Sequence, residues 1–119
     1  MKTAKDPRHK RRQQLIQELF GSSFHKQQVS EKTREILKHQ QKLDAYIQQA
    51  APDFPVDKIN KVDLAILRLS VYELAISGKE PHNVIIDEAV ELAKEFGNDS
   101  SPGFINGVLG HILTYANVA

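Results

Sequence analysis

The sequence contains no cysteine and no tryptophan, and only one of its 119 residues is methionine. The absence of cysteine excludes disulfide bonds, thiolate metal ligands and a cysteine nucleophile. No apolar run approaches the roughly 20 residues that a transmembrane helix needs. The first residues are basic but lack the apolar core of a secretory signal. We therefore expect a cytoplasmic protein that does not enter a membrane.

Sequence motifs for catalysis are also missing. The chain has no phosphate-binding loop, dinucleotide-binding fingerprint, serine-hydrolase elbow or zinc-protease pair. Asp87 and Glu91 fall near the start of a predicted helix, where acidic side chains favour the helix dipole, so we interpret them as a solvated face. No metal-binding spacing relates the five histidines, which we expect at the surface or packed against neighbours: His9, His25, His39, His82 and His111. We expect no enzyme, no cofactor and no metal.

Charge is distributed unevenly, although the formal net charge at pH 7 is only +1. Residues 1–12 carry six basic side chains and one acidic one, so the remainder is mildly acidic. A basic arm on an acidic body indicates a polyanionic partner, and a solubilising tail is the alternative. The helix predicted at residues 8–20 would anchor its apolar end in the core and present three arginines outward: Arg8, Arg11 and Arg12.

Proline and glycine divide the chain into helix-length segments, and no period-two pattern indicates a strand. We therefore predict an all-α bundle of five to six helices with no sheet. Helices are expected at residues 8–20, 31–50, 61–76, 84–96 and 102–115. The third has the widest apolar face, so we expect it to be the most buried. Ser30 is the expected N-cap of the second helix, and Gly97 is the expected C′ residue at the end of the fourth.

The segment NDSSPGFINGVL, residues 98–109, combines a helix start with an unusual number of glycines. Ser101 and Pro102 fit a cap and a first helical position. Each glycine within a helix costs about 1 kcal/mol relative to alanine. Close approach of a neighbouring helix would offset that cost, and Asn106 could bond to its backbone. The three glycines share one side of this helix: Gly103, Gly107 and Gly110.

Two segments, NKVDLAILRLSVYEL and NVIIDEAVELAKEFGNDSSPGFINGVLGHIL, resemble the C-terminal half of the NusB family of bacterial transcription antitermination factors. The family's pattern there is AILRLAVYEL, then INEAVELAKKYG, a short loop of acids and serines, and KFVNGVL. The similarity runs nearly position by position over residues 60–113. The N-terminal RHKRRQQLIQELF also resembles the family's opening, RRKAREAALQALY.

The resemblance implies one NusB-like domain over residues 1–119. It would comprise a basic arm (1–12), a shortened N-terminal helical subdomain (8–50) and a C-terminal bundle (56–115). Members of the family bind the boxA RNA element together with NusE, a small-subunit ribosomal protein that doubles as a transcription factor. Their complex helps RNA polymerase to read through terminators in ribosomal RNA operons. We expect a monomer that contacts the elongation complex indirectly.

The resemblance and the basic arm together imply two sets of binding residues. Asp63 and Arg68 would lie at the NusE contact, and a simple effect of Asp63 on the helix dipole is the alternative. Phe104 would either close the end of the bundle or lie partly exposed beside the RNA, where it could stack on a base. The expected RNA-binding residues are Arg8, Lys10, Arg11, Arg12, Gln17, Phe20 and Phe104.

The sequence departs from the family pattern at three places. The segment between Phe20 and Ile36 is shorter than usual, so one short helix should be missing. Phe20 replaces a common tyrosine, which removes a hydroxyl and keeps a ring. Gly103 replaces a common lysine, which removes a phosphate contact.

Three functions compete on this evidence. The first is an RNA-binding antitermination factor, and the second is a protein-interaction module whose shortened N-terminal half has lost RNA recognition. The third is the N-terminal RNA-binding domain of a ribosomal RNA cytosine methyltransferase, whose catalytic domain would need cysteines. This third interpretation requires the chain to be a fragment of a longer protein, and Met1 and the complete basic first helix lead us to expect that it is not a fragment.

Overall fold

The computed structural model describes residues 6–116, and these residues form six α-helices and no strand. The predicted all-α class with five to six helices is therefore confirmed. No helix within this range is long and apolar enough to cross a membrane. The helices are α1 (Pro7–Ser22), α2 (Glu31–Lys38), α3 (Gln40–Ala50), α4 (Lys61–Tyr72), α5 (His82–Phe96) and α6 (Ser101–Tyr115).

Short polar side chains start the first two helices. The Asp6 carboxylate accepts a hydrogen bond from the backbone N–H of Arg8 at 2.9 Å, and Pro7 occupies the first turn of α1. Ser30 Oγ accepts from the backbone N–H of Thr33 at 3.3 Å, as predicted for the N-cap of α2. Both bonds satisfy N–H groups that have no partner within the helix.

The single helix predicted over residues 31–50 is wrong. The chain leaves helical geometry at His39 (φ −99°, ψ 10°), which ends α2 and precedes α3. The His39 ring packs against Tyr72 of α4 with centroids 5.9 Å apart. Hydrophobic periodicity does not reveal the break, because Ile36 and Leu43 face the core on both sides of it.

Helix α4 is the centre of the bundle, as its wide apolar face predicts. It packs against α1, α3, α5 and α6, and nine of its twelve residues are buried. We expected an α-helix over residues 61–76. The α-helix instead ends at Tyr72, and a π-helical turn follows over Glu73–Ser77. Gly78 then takes a left-handed conformation (φ 58°), which a glycine adopts without steric cost. The turn points Glu73 toward α1.

The connection between α5 and α6 is tight. Asn98 Oδ1 accepts hydrogen bonds from the backbone N–H of Ser100 at 2.9 Å and from its hydroxyl at 2.8 Å. A Cβ at Gly97 would collide with the Ser101 side chain and the Ala93 carbonyl, so glycine is required there by close approach. Gly97 directly follows the last residue of α5, as its C-cap, with an extended backbone (φ −92°, ψ −168°).

Within the described residues, no neighbouring helix packs closely against the glycines of α6. A Cβ built at Gly103, Gly107 or Gly110 meets no heavy atom of the described residues within 4 Å. Asn106 is exposed on the same side of the helix. The predicted close approach is therefore wrong, and the glycines leave this flank of α6 open.

Candidate nucleic-acid interface

The first two turns of α1 carry an exposed basic surface. Arg8, Lys10 and Arg11 are all exposed, and the Arg8 side chain keeps 72% of its area accessible. Gln17 is exposed two turns further along. Lys2 and Lys5 of the basic arm lie outside the described residues. This surface presents three of the predicted basic groups to a ligand.

Arg12 does not point outward, contrary to the prediction, and only 5% of it is exposed. Its Nε and Nη2 donate to the Glu73 carboxylate at 3.1 and 2.9 Å, and Nη1 donates to Glu88 at 3.3 Å. Nη2 also contacts the Glu80 carboxylate. Surrounded by three carboxylates, Arg12 attaches α1 to the core and is not available to a phosphate.

His9 is likewise buried, where we expected a surface or packed position. Its Nδ1 lies 3.1 Å from Glu88 Oε1 and its Nε2 lies 2.8 Å from Glu95 Oε1. Gln13 adds a hydrogen bond to Glu95 at 3.1 Å. We name the ion-pair network that joins α1 to α5 and to the end of α4 the α1 clamp: His9, Arg12, Glu73, Glu80, Glu88 and Glu95.

The sequence contains a signal for this inward placement. His9 and Arg12 precede Ile16 by seven and four positions, so they extend its apolar stripe toward the N-terminus. Glu88 likewise lies three positions after Ile85 and four before Leu92, both of which are buried. Charged residues on an apolar stripe predict buried side chains that pair with each other, whereas we had expected Arg12 to point outward.

A second polar contact fixes α2 against α1. Glu18 Oε1 accepts from the backbone N–H of Ser30 at 2.9 Å and from the Thr33 hydroxyl at 2.8 Å. Although partial burial acts in the opposite direction, these hydrogen bonds lower the pKa of the Glu18 carboxyl to about 2. The exposed face of α1 therefore belongs to a helix held at several points.

Each of the two predicted stacking residues packs against a second phenylalanine. Phe20 is half-buried and packs edge-on against Phe24, with centroids 4.9 Å apart. Phe104 is half-buried and packs edge-on against Phe54 at 5.3 Å. Phe24 and Phe54 are 61% and 53% exposed, so each pair offers ring surface to solvent. Phe104 therefore packs on the core with part of its ring exposed, and stacking on RNA stays a prediction.

The structure places these aromatic rings apart from one another in the fold. Helix α1 packs mainly on α2 and α4, whereas α6, which carries Phe104, packs mainly on α3, α4 and α5. The basic surface and Phe104 therefore lie on two helices that do not pack extensively against each other. One RNA strand would reach both only by extending across the surface from α1 to α6.

Asp63 is buried at the first turn of α4, with 5% of its surface exposed. Burial raises the pKa of its carboxyl, and a hydrogen bond from Ser101 acts in the opposite direction. Oδ1 has no hydrogen-bond partner among the described residues. The expectation of Asp63 as a surface group is therefore wrong, and any effect on a partner would pass through neighbouring residues.

Arg68 makes an internal ion pair. Its Nε and Nη2 each donate to one oxygen of Asp44 at 2.9 Å, and 12% of its side chain is exposed. This two-point contact joins α3 to α4. Both predicted partner residues therefore lie in or close to the core, on one helix.

The described residues contain no group of three or more histidine, cysteine, aspartate or glutamate side chains arranged to hold a metal ion. Residues 1–114 match the sequence model of the NusB family. The chain belongs to the NusB family.

Several relatives carry the name transcription antitermination protein NusB. The Chloroflexus aggregans protein is 50% identical over 78 residues, which cover 64% of this chain and 52% of that protein. The Geobacter sulfurreducens protein is 40% identical over 94 residues, covering 79% and 65%. The Bacillus subtilis protein is 47% identical over 77 residues, covering 65% and 59%. The chain spans between half and two thirds of the length of these NusB relatives.

The fold is also that of a solved NusB structure. T. maritima NusB superposes with a TM-score of 0.78 at 28% identity, covering 97% of this chain and 94% of that one. Residues 23–30, in the segment that is shorter than the NusB pattern, link α1 directly to α2 without a helix. The shortening therefore leaves the NusB architecture intact.

Proposed function

We propose that the chain is a non-catalytic, RNA-binding transcription antitermination factor. It binds boxA-like single-stranded RNA together with NusE and supports read-through by RNA polymerase, especially in ribosomal RNA operons, in the cytoplasm. The observation that carries the proposal is the exposure of Arg8, Lys10 and Arg11 on a helix that the α1 clamp holds in place. Membership of the NusB family supports it.

The mechanism of binding is charge neutralisation on a preorganised surface. Each cation that meets a phosphate releases counterions from the RNA, which favours binding most at low salt. Because α1 is fixed before RNA arrives, little conformational entropy is lost in aligning its cations. Gln17 and the ring of Phe20 lie further along the same helix, where they can contact bases.

NusE is proposed to contact the surface over the first turns of α4. Asp63 and Arg68 act from beneath this surface as positioning residues. The Arg68–Asp44 pair fixes α3 against α4, and Asp63 lies between α4 and the start of α6, where Ser101 bonds to it. Substitution of either residue should therefore change NusE affinity through the shape of the surface.

A second candidate is the protein-interaction module without RNA recognition. It is favoured by the withdrawal of Arg12 into the clamp and by Gly103, where the family commonly carries a lysine. Both reduce the number of cations available to RNA. This candidate predicts NusE binding with no dependence on RNA sequence.

Titration of a boxA-like oligoribonucleotide and a scrambled strand, with and without NusE, at two salt concentrations separates the candidates. The antitermination proposal predicts tighter binding of the boxA-like strand with NusE present, and weaker binding at higher salt. Equal affinity for the two strands contradicts it and leaves the interaction module.

Phe104→Ala provides a second arm of this titration. Loss of a stacked base lowers affinity by about 1–3 kcal/mol without changing the salt dependence, because stacking releases no counterions. Tyr115→Ala, which removes an exposed ring at the other end of α6, is the matched control. Equal effects of the two substitutions contradict a specific role for Phe104.

A further inference from the structure

A groove runs beside α1, between α2 and the turn that follows α4. We name it the α1 groove. Leu15, Leu69 and Tyr72 contribute apolar and aromatic surface to it. Among the described residues, its charged lining comprises five cations and two carboxylates: Arg8, Arg11, Arg12, Lys32, Lys79, Glu73 and Glu80.

Both carboxylates of the groove contact arginines, although Glu80 Oε1 has no hydrogen-bond partner among the described residues. Arg12 donates to both Glu73 and Glu80, and Arg8 lies 3.7 Å from Glu80. Within the described residues, Lys32 and Lys79 on the wall opposite α1 form no ion pair or hydrogen bond, although the charge of Lys32 acts electrostatically on Glu73. Five cations against two carboxylates leave the groove lining with a net positive charge, and Arg11, Lys32 and Lys79 carry the part of it that forms no ion pair within the described residues.

Lys32 is held in position within the groove. Its Nζ lies 5.5 Å from the centroid of the Tyr72 ring, within the range of a cation–π contact. The lysine is half-buried, so its stem packs along the wall while its ammonium faces the groove lining. Lys79 is exposed in the turn after Gly78, on the same side of the groove.

We propose that the RNA backbone lies in the α1 groove, with Lys32 and Lys79 contacting phosphates from the wall opposite Arg8 and Arg11. The proposal rests on the RNA-binding function proposed above and extends it to two residues outside α1. Charge complementarity and continuity with the exposed surface of α1 support it. Cations on both sides of a strand restrict its position more than cations on one helix face would.

The test is the salt dependence of affinity for a single-stranded boxA-like oligoribonucleotide in the presence of NusE. Each phosphate contact on a single strand contributes about −0.7 to the slope of log K against log salt. Lys32→Gln with Lys79→Gln should therefore flatten the slope by about 1.4. Lys38→Gln with Lys58→Gln removes the same charge from two exposed lysines outside the groove, and should leave the slope nearly unchanged.

Site-specific crosslinking locates the strand directly, because the chain has no cysteine of its own. Lys79→Cys carrying a thiol-linked photo-crosslinker should capture the RNA, and Lys38→Cys should not. Equal slopes for the two double variants, or equal crosslinking at the two positions, would contradict RNA binding in the α1 groove. The proposed RNA-binding function would still hold if the wild type binds RNA. Failure of the wild type to bind either strand overturns both the groove and the proposed function. Salt-dependent binding of both strands with a groove-specific effect supports the groove and contradicts boxA recognition.

Discussion

The Arg12 guanidinium contacts both carboxylate oxygens of Glu73, with Nε 3.1 Å from Oε1 and Nη2 2.9 Å from Oε2. Arg12 lies one turn after the exposed Arg8, and Glu73 begins the π-helical turn at the end of α4. The contact therefore joins the surface proposed for RNA to the centre of the bundle. The basic residues of α1 therefore have two different roles. Arg12 attaches the helix to the core, whereas Arg8, Lys10 and Arg11 are exposed to solvent.

Arg12→Ala should destabilise the protein strongly. Removing the cation takes away the hydrogen bonds of Glu73 to Arg12 and one partner each of Glu80 and Glu88. Breaking a buried ion pair in this way costs about 3–5 kcal/mol. Arg11→Ala, one position earlier and exposed, should change the free energy of unfolding by no more than about 0.5 kcal/mol. Urea unfolding of both variants checks this. Similar costs for the two substitutions would mean that the clamp contributes nothing to the fold.

Leu67→Ala should cost about 2–5 kcal/mol in the free energy of unfolding, because the side chain is fully buried in α4. Leu37→Ala on α2, where the side chain is only half-buried, should cost clearly less. Thermal and urea unfolding measure both values. A loss below about 0.5 kcal/mol for Leu67→Ala, the level of a surface substitution, would show that α4 is peripheral.

The organisation of the helices follows from the sequence because its signals are local. Ser30 caps α2, Pro7 and Pro102 lie in the first turns of α1 and α6, and a wide apolar face places α4 at the centre. The break at His39 and the π-helical turn at Glu73 depend on packing between distant elements. Because these features are caused by contacts with other parts of the chain, the hydrophobic periodicity of each helix does not reveal them.

The site was less predictable than the fold. Exposure of Arg8, Lys10 and Arg11 follows from their place outside the apolar stripe of α1. The partners of Arg12 are 61 to 76 positions away in sequence, so only the folded chain shows that they neutralise it. The open flank beside Gly103 could not be predicted for a similar reason. The spacing of the glycines shows that they share one side of α6, but it does not show whether another helix packs against that side.

Glu18→Gln tests the contact between α1 and α2 through its pH dependence. The folded carboxyl has a pKa of about 2, below the ordinary value of 4.5. The stability from its ionised form is therefore present above about pH 4.5 and is lost as pH falls through about 2. The difference in melting temperature between wild type and Glu18→Gln should be largest near neutral pH and should shrink between these values. A difference that is independent of pH would contradict the ionised contact.

Asp63→Asn should show the opposite dependence on pH. Because burial raises the pKa of this carboxyl, the protonated form favours the fold, and that stability is lost as pH rises through the folded pKa. The substitution should therefore cost less stability at pH 7 than at pH 3. Urea unfolding at the two values measures the difference. A greater cost at pH 7 would show that the ionised carboxylate, not its protonated form, is stabilised in the fold.

The salt dependence of RNA affinity tests the division of tasks along α1 most directly. Arg8→Gln with Arg11→Gln should flatten the slope of log K against log salt by about 1.4 for a boxA-like strand with NusE, because each of the two cations neutralises one phosphate and contributes about 0.7. Lys38→Gln with Lys58→Gln, which removes equal charge elsewhere, should leave the slope nearly unchanged. Equal slopes for the two double variants would contradict RNA binding by the exposed surface of α1.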